Sequence, residues 1–225
     1  MTDSYIDIHS YRYQKLFESI EKLNLPIDSK ILDIGCYPTY LSDWLKEQKF
    51  DVYGISSEHE KIKDPKVSIL NIETENFPFE KNFFDLVICT EVIEHISYSP
   101  SNLLKKINHI LKPNGHFILT TPNVSRLQNV LSLLFDKNIY FPLYQMDQDI
   151  YFRHQREYTK QEICDIHHKS GFKNINIAYY TAYPPFRAKN KRENIILQII
   201  KWLNYIVAIF IPRFRDSIFA ISKKK

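Results

Sequence analysis

An acidic residue inside an apolar strand, just before a glycine turn, is the first feature of this sequence that suggests chemistry. Asp33 follows Ile31 and Leu32 and precedes Ile34 and Gly35. A carboxylate in such a strand is costly to bury unless it is hydrogen-bonded or binds a ligand. It could accept hydrogen bonds from a ligand ammonium group, or from N–H groups of the loop that it would then brace. Given its neighbours, we favour the ligand role.

Short apolar strands alternate with amphipathic helices on both sides of Asp33. The predicted strands cover residues 30–34, 51–55, 67–70, 85–89 and 116–121. Between them, apolar residues recur every three or four positions, which indicates helices with one buried face. This alternation predicts βαβ units and a parallel sheet, in which a ligand lies beyond the carboxyl ends of the strands. The turn after Asp33 lies at that edge.

Start signals place several helices. One helix is predicted over residues 6–23, and Ser99 is predicted to cap the helix that begins at Pro100. Thr159 and Glu162 have the spacing of a capping box ahead of another helix. Two further strands are predicted at residues 172–180 and 217–222.

An ordered set of short stretches matches the pattern of one enzyme family. The stretches are residues 31–36, 52–55, 76–79, 84–87, 91–96, 111–116, 154–159 and 171–172. Together they resemble the class I S-adenosylmethionine-dependent methyltransferases, over most of residues 28–181. The resemblance implies a doubly wound, mostly parallel seven-stranded α/β sheet of Rossmann-like type, with helices on both faces and an antiparallel last strand.

The resemblance also implies S-adenosylmethionine as the cofactor and places its parts along the chain. The residues expected beside it are, for the methionine part, Asp33, Gly35, Cys36, Tyr37, Cys89 and Thr90; for the ribose, Ser56 or Ser57; and for the adenine, Glu73 and Thr74. This chain departs from the family at Tyr37 and Thr39, where further glycines are usual, and at Ser56, where an acid is usual. A hydroxyl lacks the bidentate grip of a carboxylate. The sequence is therefore also compatible with an inactive relative that keeps the fold but has lost the cofactor.

Two histidines are the candidate catalytic residues. His95 follows the fourth strand, near the expected methyl group, and His154 precedes the capped helix. Methyl transfer is an in-line displacement that needs orientation, and a hydroxyl acceptor also needs a base for its proton. The predicted reaction is O-methylation of a small molecule, a saccharide or a lipid-linked glycan. The sequence also allows a purely structural role for each histidine. It also allows Glu91 and Glu94 to lie on a solvated helix face.

The chain divides into a predicted core with additions. The parts are an N-terminal helical segment (1–27), a cofactor-binding core (28–123), a lid-like aromatic insertion (124–158) and a C-terminal part of the same domain (159–225). The last part contains an apolar helix over residues 192–211, flanked by basic residues. It could contact an anionic membrane surface, form a homodimer face or pack on the sheet. A catalytically inactive scaffold at a membrane is the competing function.

Composition excludes several other classes. The three cysteines, Cys36, Cys89 and Cys164, form no Cys-x-x-Cys pair, which indicates a reduced protein without a zinc site, and we assign no metal ligands from the sequence. The start has no secretory pattern, so a cytoplasmic location is expected. A net charge of +4 without a basic cluster argues against a nucleic-acid partner. The G-x-G-x-x-G pattern of nicotinamide enzymes is absent.

Overall fold

The computed structural model describes residues 2–57, 63–140, 153–185 and 195–225. The strands are β1 (Lys30–Ile34), β2 (Asp51–Ser56), β3 (Val67–Ile69), β4 (Phe84–Thr90), β5 (Leu111–Pro122), β6 (Phe172–Tyr180) and β7 (Ser217–Lys224). The helices are α1 (Thr2–Glu21), α2 (Tyr40–Glu47), α3 (Pro100–Ile110), α4 (Leu127–Leu134), α5 (Lys160–Lys169) and α6 (Ile195–Phe210), with 3₁₀ turns at Ile93–His95 and Pro212–Phe214.

All seven strands form one sheet in the order β3-β2-β1-β4-β5-β7-β6. The first five pair in parallel, whereas β7 lies between β5 and β6 and is antiparallel to both. The predicted mostly parallel, seven-stranded sheet with an antiparallel last strand is thus confirmed. The strand order reverses direction at β1, because β2 lies on one side of it and β4 on the other. That reversal opens a site at the carboxyl ends of these strands.

Helices cover both faces of the sheet, as predicted. On one face, the core includes Leu16 of α1 and Leu45 of α2. On the other face, the core includes Leu104 of α3 and Ile163 of α5. Residues of one central strand point alternately to the two faces, which explains why the strands read as continuous apolar runs.

Two details differ from the sequence-based expectation, and a third agrees with it. The Ser99 side chain makes no capping hydrogen bond; its carbonyl oxygen accepts the N–H of Asn102 instead. β5 begins at Leu111 rather than at residue 116, because Leu111 pairs with Phe84 ahead of a bulge in the β4–β5 ladder. The Thr159–Glu162 capping box is confirmed, with both reciprocal hydrogen bonds present.

Two predicted features fall partly outside the described residues. The apolar helix predicted over 192–211 is present as α6, and its residues 192–194 are not among those described. Residues 141–152 of the aromatic insertion (124–158) also lie outside them. Among the described helices, none combines the length and the apolarity that crossing a bilayer requires.

Candidate active site

The carboxyl ends of β1, β2 and β4 lie side by side and form the floor of the candidate site. Ile34 pairs with Ile55 on one side and with Cys89 on the other. The N–H of Gly35 then donates to the carbonyl of Ile55 at 2.9 Å, which turns the chain sharply. Gly35 has φ +78°, and a Cβ there would lie 2.5 Å from Val92 Cγ2. Only glycine therefore allows this turn to approach the segment that follows β4.

Asp33 is buried beneath this turn and is already partly engaged. Its carboxylate accepts a hydrogen bond from Ser42 Oγ of α2 at 2.8 Å. Burial raises its pKa to about 7, which the Ser42 hydrogen bond opposes. The side chain thus joins α2 to the end of β1, and a ligand ammonium near it would favour the ionised form. Both proposed roles for Asp33 are compatible with this position.

The other residues predicted near the methionine part are placed differently from one another. Tyr37 is exposed at the outside of the turn, and Thr90 is half-buried at the end of β4. Cys36 and Cys89 are buried. The Cys36 sulfur packs against Gly54 so closely that a Cβ at that position would lie 2.7 Å from it. Burial raises the pKa of Cys36 to about 12 and that of Cys89 well above its usual range. Neither thiol has the properties of a nucleophile.

The residues predicted near the ribose and the adenine lie on the β2–β3 side. Ser56 is buried and Ser57 is exposed, at the end of β2. The Glu73 carboxylate accepts the N–H groups of Ser97 and Tyr98, each at 2.9 Å. Glu73 therefore connects the loop after β3 to the loop ahead of α3.

Thr74, the neighbour of Glu73, is exposed, and its N–H lies 3.4 Å from the Asn71 side-chain oxygen. Its assignment to the adenine, like the other cofactor contacts expected from the sequence, stays a prediction.

The two candidate catalytic histidines meet, and an acid joins them. The rings of His95 and His154 are 5.0 Å apart and perpendicular. Glu94 is fully buried beside them, with its Oε1 3.9 Å from His95 Nε2. The solvated helix face considered for Glu94 is therefore wrong, since the 3₁₀ turn directs its side chain inward. Sequence reasoning missed this residue, although its position between Ile93 and Ile96, both buried, was an available signal.

A polar network holds His154 in place. Its Nδ1 lies 3.1 Å from Oε1 of Glu157. Glu157 also receives two hydrogen bonds from Arg126, at 2.6 and 2.9 Å, and one from Asn129 at 2.9 Å. Burial alone would raise the pKa of Glu157, but the hydrogen bonds from His154 and Arg126 outweigh it and lower that pKa. The ionised Glu157 thus anchors both ends of the insertion.

Comparison with known proteins assigns the family. Residues 8–177 match a family described as "Methyltransferase domain". The chain belongs to the class I S-adenosylmethionine-dependent methyltransferase family. The methyltransferase has a relative named "Ubiquinone biosynthesis O-methyltransferase" in Rickettsia conorii, 30% identical over 131 residues that cover 54% of this chain and 43% of that protein. The chain spans about half the length of the curated relatives it matches.

Solved structures agree with this family at the level of fold. A SAM-dependent methyltransferase from Archaeoglobus fulgidus has a TM-score of 0.61 at 15% identity and covers 99% of this chain and 100% of its own. Phosphoethanolamine N-methyltransferase 2 from Haemonchus contortus, solved with S-adenosyl-L-methionine, has a TM-score of 0.57 at 18% identity, covering 89% and 49%. S-adenosylmethionine is therefore the cofactor to test against the site.

The residues present fit the methionine half of that cofactor. The turn at Gly35 is exposed and carries no side chain, and the buried Asp33 carboxylate lies directly beneath it. Where the sequence predicts the ribose, the end of β2 carries Ser56 and Ser57 in place of an acid. The methyltransferase would hold the ribose by neutral hydrogen bonds, which are weaker than those of a carboxylate.

Proposed function

We propose that this methyltransferase transfers the methyl group of S-adenosylmethionine to a hydroxyl group of a small molecule. One observation carries the proposal: His95 and His154, from distant parts of the chain, meet beside the end of β4. A hydroxyl is a poor nucleophile until its proton is removed or its charge is stabilised. A cluster of imidazoles beside the expected methyl group supplies groups for that task. The O-methyltransferase relatives support the same acceptor atom.

The protein's main contribution to this reaction is orientation. The turn at Gly35 and the Asp33 carboxylate would hold the amino-acid end of the cofactor, so that its methyl group faces the histidines. The acceptor would enter from the side of the insertion, whose ends are fixed by the Arg126–Glu157 pair. A near-attack arrangement of this kind can supply a large part of the rate enhancement.

Calorimetry and a transfer assay test the proposal. We expect 1:1 binding of S-adenosylmethionine, and transfer of its labelled methyl group to at least one of three probes: phenol, catechol and glucose. The probes separate an aromatic acceptor from the saccharide or lipid-linked glycan considered from the sequence. Absence of cofactor binding at millimolar concentration contradicts the proposal. The matched control is His109→Ala, an exposed histidine near the end of α3 that should change neither result.

A second proposal concerns the surface formed by α6, where large apolar side chains are exposed. They are Ile195, Ile196, Ile199, Ile200, Trp202, Leu203, Ile206, Ile209 and Phe210, and Leu133, Leu134 and Phe135 lie exposed on or just after α4, which contacts α6. We propose that this apolar surface contacts an anionic membrane, since the exposed Lys201 of α6 and the exposed Arg213 just after it add positive charge to the same part of the chain. A lipid-soluble acceptor would then reach the site from the bilayer.

Sedimentation with vesicles tests this surface. We expect the wild type to bind phosphatidylglycerol vesicles more strongly than phosphatidylcholine vesicles, and Phe210→Glu to reduce binding to both. Size-exclusion chromatography of the same samples checks the homodimer: a wild-type dimer that Phe210→Glu dissociates, without vesicle binding, contradicts the membrane proposal. An inactive membrane scaffold predicts vesicle binding without any cofactor binding, which distinguishes it from the enzyme.

A further inference from the structure

Three side chains with metal-ligand chemistry meet at the end of β4. Glu94, His95 and His154 each offer one ligand atom, and these atoms lie within 4.8 Å of one another. We propose that this cluster binds a divalent transition-metal ion. The cysteine spacing indicated no metal ligands, and these three residues, from two distant parts of the sequence, come together only through folding.

The Glu94 carboxylate is the strongest reason for a cation. The residue is fully buried, and its Oε2 accepts a hydrogen bond from Thr121 Oγ1 at 3.0 Å. Among the residues that the structure describes, its Oε1 has no hydrogen-bond partner. An unpaired buried carboxylate oxygen that faces two imidazoles is the environment that a cation would stabilise.

The imidazoles are oriented as metal ligands usually are. His95 Nδ1 lies 3.1 Å from the carbonyl oxygen of Arg153, which can only accept, so Nδ1 carries the proton. By the same reasoning, His154 Nδ1 donates to Glu157, whose low pKa keeps it ionised. In both rings, Nε2 is left with the lone pair. Metal-bound histidines typically donate their second nitrogen to a carbonyl or a carboxylate in this manner.

Other nearby acids already have partners: Glu91 accepts from Thr120 Oγ1 at 2.8 Å and lies 3.8 Å from Arg12. Glu94 is thus the carboxylate left to balance the charge of a bound cation.

The donor set selects the kind of ion. Two imidazole nitrogens and one carboxylate oxygen suit Zn²⁺, Mn²⁺, Fe²⁺ or Co²⁺, whereas Mg²⁺ and Ca²⁺ prefer oxygen ligands alone. Ligands at about 2.1 Å from a tetrahedral ion are about 3.4 Å apart, so atoms of the cluster that lie up to 4.8 Å apart must approach by up to about 1.4 Å. His154 is half-buried, and its approach to the other two ligands would reorient its hydrogen bond to Glu157. Three protein ligands would leave a coordination position for another molecule.

The open position gives the ion a role in the methyl transfer, and this step rests on the proposed function. The ion would bind the acceptor oxygen and lower the pKa of its hydroxyl, so that the proton passes to solvent. A lone pair of that oxygen then forms the C–O bond while the S–CH₃ bond breaks. The electron pair of the broken bond stays on sulfur, which becomes a neutral thioether.

Direct metal binding tests the site without an acceptor. The full chain, free of any histidine tag and dialysed against a chelator, is titrated with Zn²⁺, Mn²⁺ and Co²⁺, the last also followed by visible absorption. We expect one ion per chain for at least one of the three metals. In His95→Ala, His154→Ala and Glu94→Gln, binding should be lost at metal concentrations that saturate the His109→Ala control. Glu157→Gln should weaken binding about 10- to 100-fold, because a neutral amide oxygen replaces the ionised carboxylate that accepts from His154.

Several outcomes separate this inference from a fold defect and from the proposed function. Circular dichroism and urea unfolding identify variants that fail to fold; His154→Gln, at a half-exposed position, is the substitute if Glu94→Gln is one of them. Absence of binding in the wild type, or binding that His95→Ala and His154→Ala both retain, overturns the metal site. Metal binding without methyl transfer overturns the proposed function alone, and transfer that chelation leaves undiminished overturns the catalytic role of the ion.

Discussion

Replacing Asp33 by asparagine should stabilise the protein without cofactor, and increasingly so as the pH rises from 5 to 7. Burial raises the pKa of this carboxyl from 3.8 to about 7. An acid with a raised folded-state pKa favours folding only while it is protonated in the folded state. Its stabilising effect is complete below pH 3.8 and is lost progressively until the pH reaches about 7. Asparagine cannot ionise and avoids this loss, while its side-chain oxygen can still accept from Ser42.

The size of the effect follows from the pKa shift. Each unit corresponds to about 1.4 kcal/mol, so the shift from 3.8 to about 7 amounts to about 4 kcal/mol above pH 7. The difference in unfolding free energy between Asp33→Asn and the wild type should therefore grow by about 3 kcal/mol from pH 5 to pH 7 and then level off. Urea unfolding at half-unit pH steps measures it. A difference that stays constant with pH would falsify the assigned burial of an ionisable Asp33.

Two further measurements make the Asp33 result specific. Asp43→Asn, an exposed neighbour on α2, should show no comparable growth of the difference with pH. The same substitution should weaken cofactor binding while it stabilises the protein without cofactor. If Asp33 binds the ammonium group of S-adenosylmethionine, Asp33→Asn weakens that binding about 10- to 100-fold, the usual value of one hydrogen bond to a charged group. A stabilised variant with unchanged cofactor affinity would assign Asp33 to the bracing of α2 alone.

Three other substitutions test neighbouring claims. Gly35→Ala should lower the unfolding free energy, measured by urea unfolding, by at least about 1–2 kcal/mol, because Gly35 has a left-handed backbone. Adding Val92→Ala to this variant removes the clash with the new Cβ and should recover only that steric part of the loss. Glu73→Gln should cost about 1 kcal/mol of stability while calorimetry finds nearly unchanged cofactor affinity; a large loss of affinity would return Glu73 to the adenine. His167→Phe should lose less stability than the wild type between pH 6.5 and 5, because burial lowers the pKa of His167 to about 4 and the folded state resists its protonation.

The sequence was sufficient to predict the sheet, because burial on both faces leaves an unmistakable pattern. Strands such as residues 30–34 and 84–90 are mostly apolar, and the helices between them carry one apolar face. The Thr159–Glu162 capping box was equally predictable, since its hydrogen bonds are local. The absence of a Ser99 side-chain cap was not predictable. The backbone carbonyl of Ser99, and not its hydroxyl, accepts the N–H of Asn102 in the first turn.

The candidate site was predictable only where a residue's role is local. The glycine turn and the buried Asp33 follow from neighbouring residues, and the structure places both at the strand ends. The hydrogen bonds that Glu73 accepts from the N–H groups of Ser97 and Tyr98 depend on a contact between two loops. No periodicity in either loop indicates such a contact. The pairing of His95 with His154 has the same origin, because their positions depend on how the insertion returns to the sheet.

Glu94 connects the end of the insertion to the proposed metal site, through its backbone and through its side chain. Its backbone oxygen accepts the N–H groups of Gln155 and Arg156, at 2.7 and 3.2 Å, which fixes the chain just after His154. Its side chain meanwhile extends toward both histidines from the same turn. A buried carboxylate that lacked any ligand would be replaced at a gain in stability by an apolar residue of similar size. Glu94→Leu thus tests the argument: it should raise the unfolding free energy of the metal-free chain, keep the backbone bonds, and abolish the stabilisation that added metal gives the wild type.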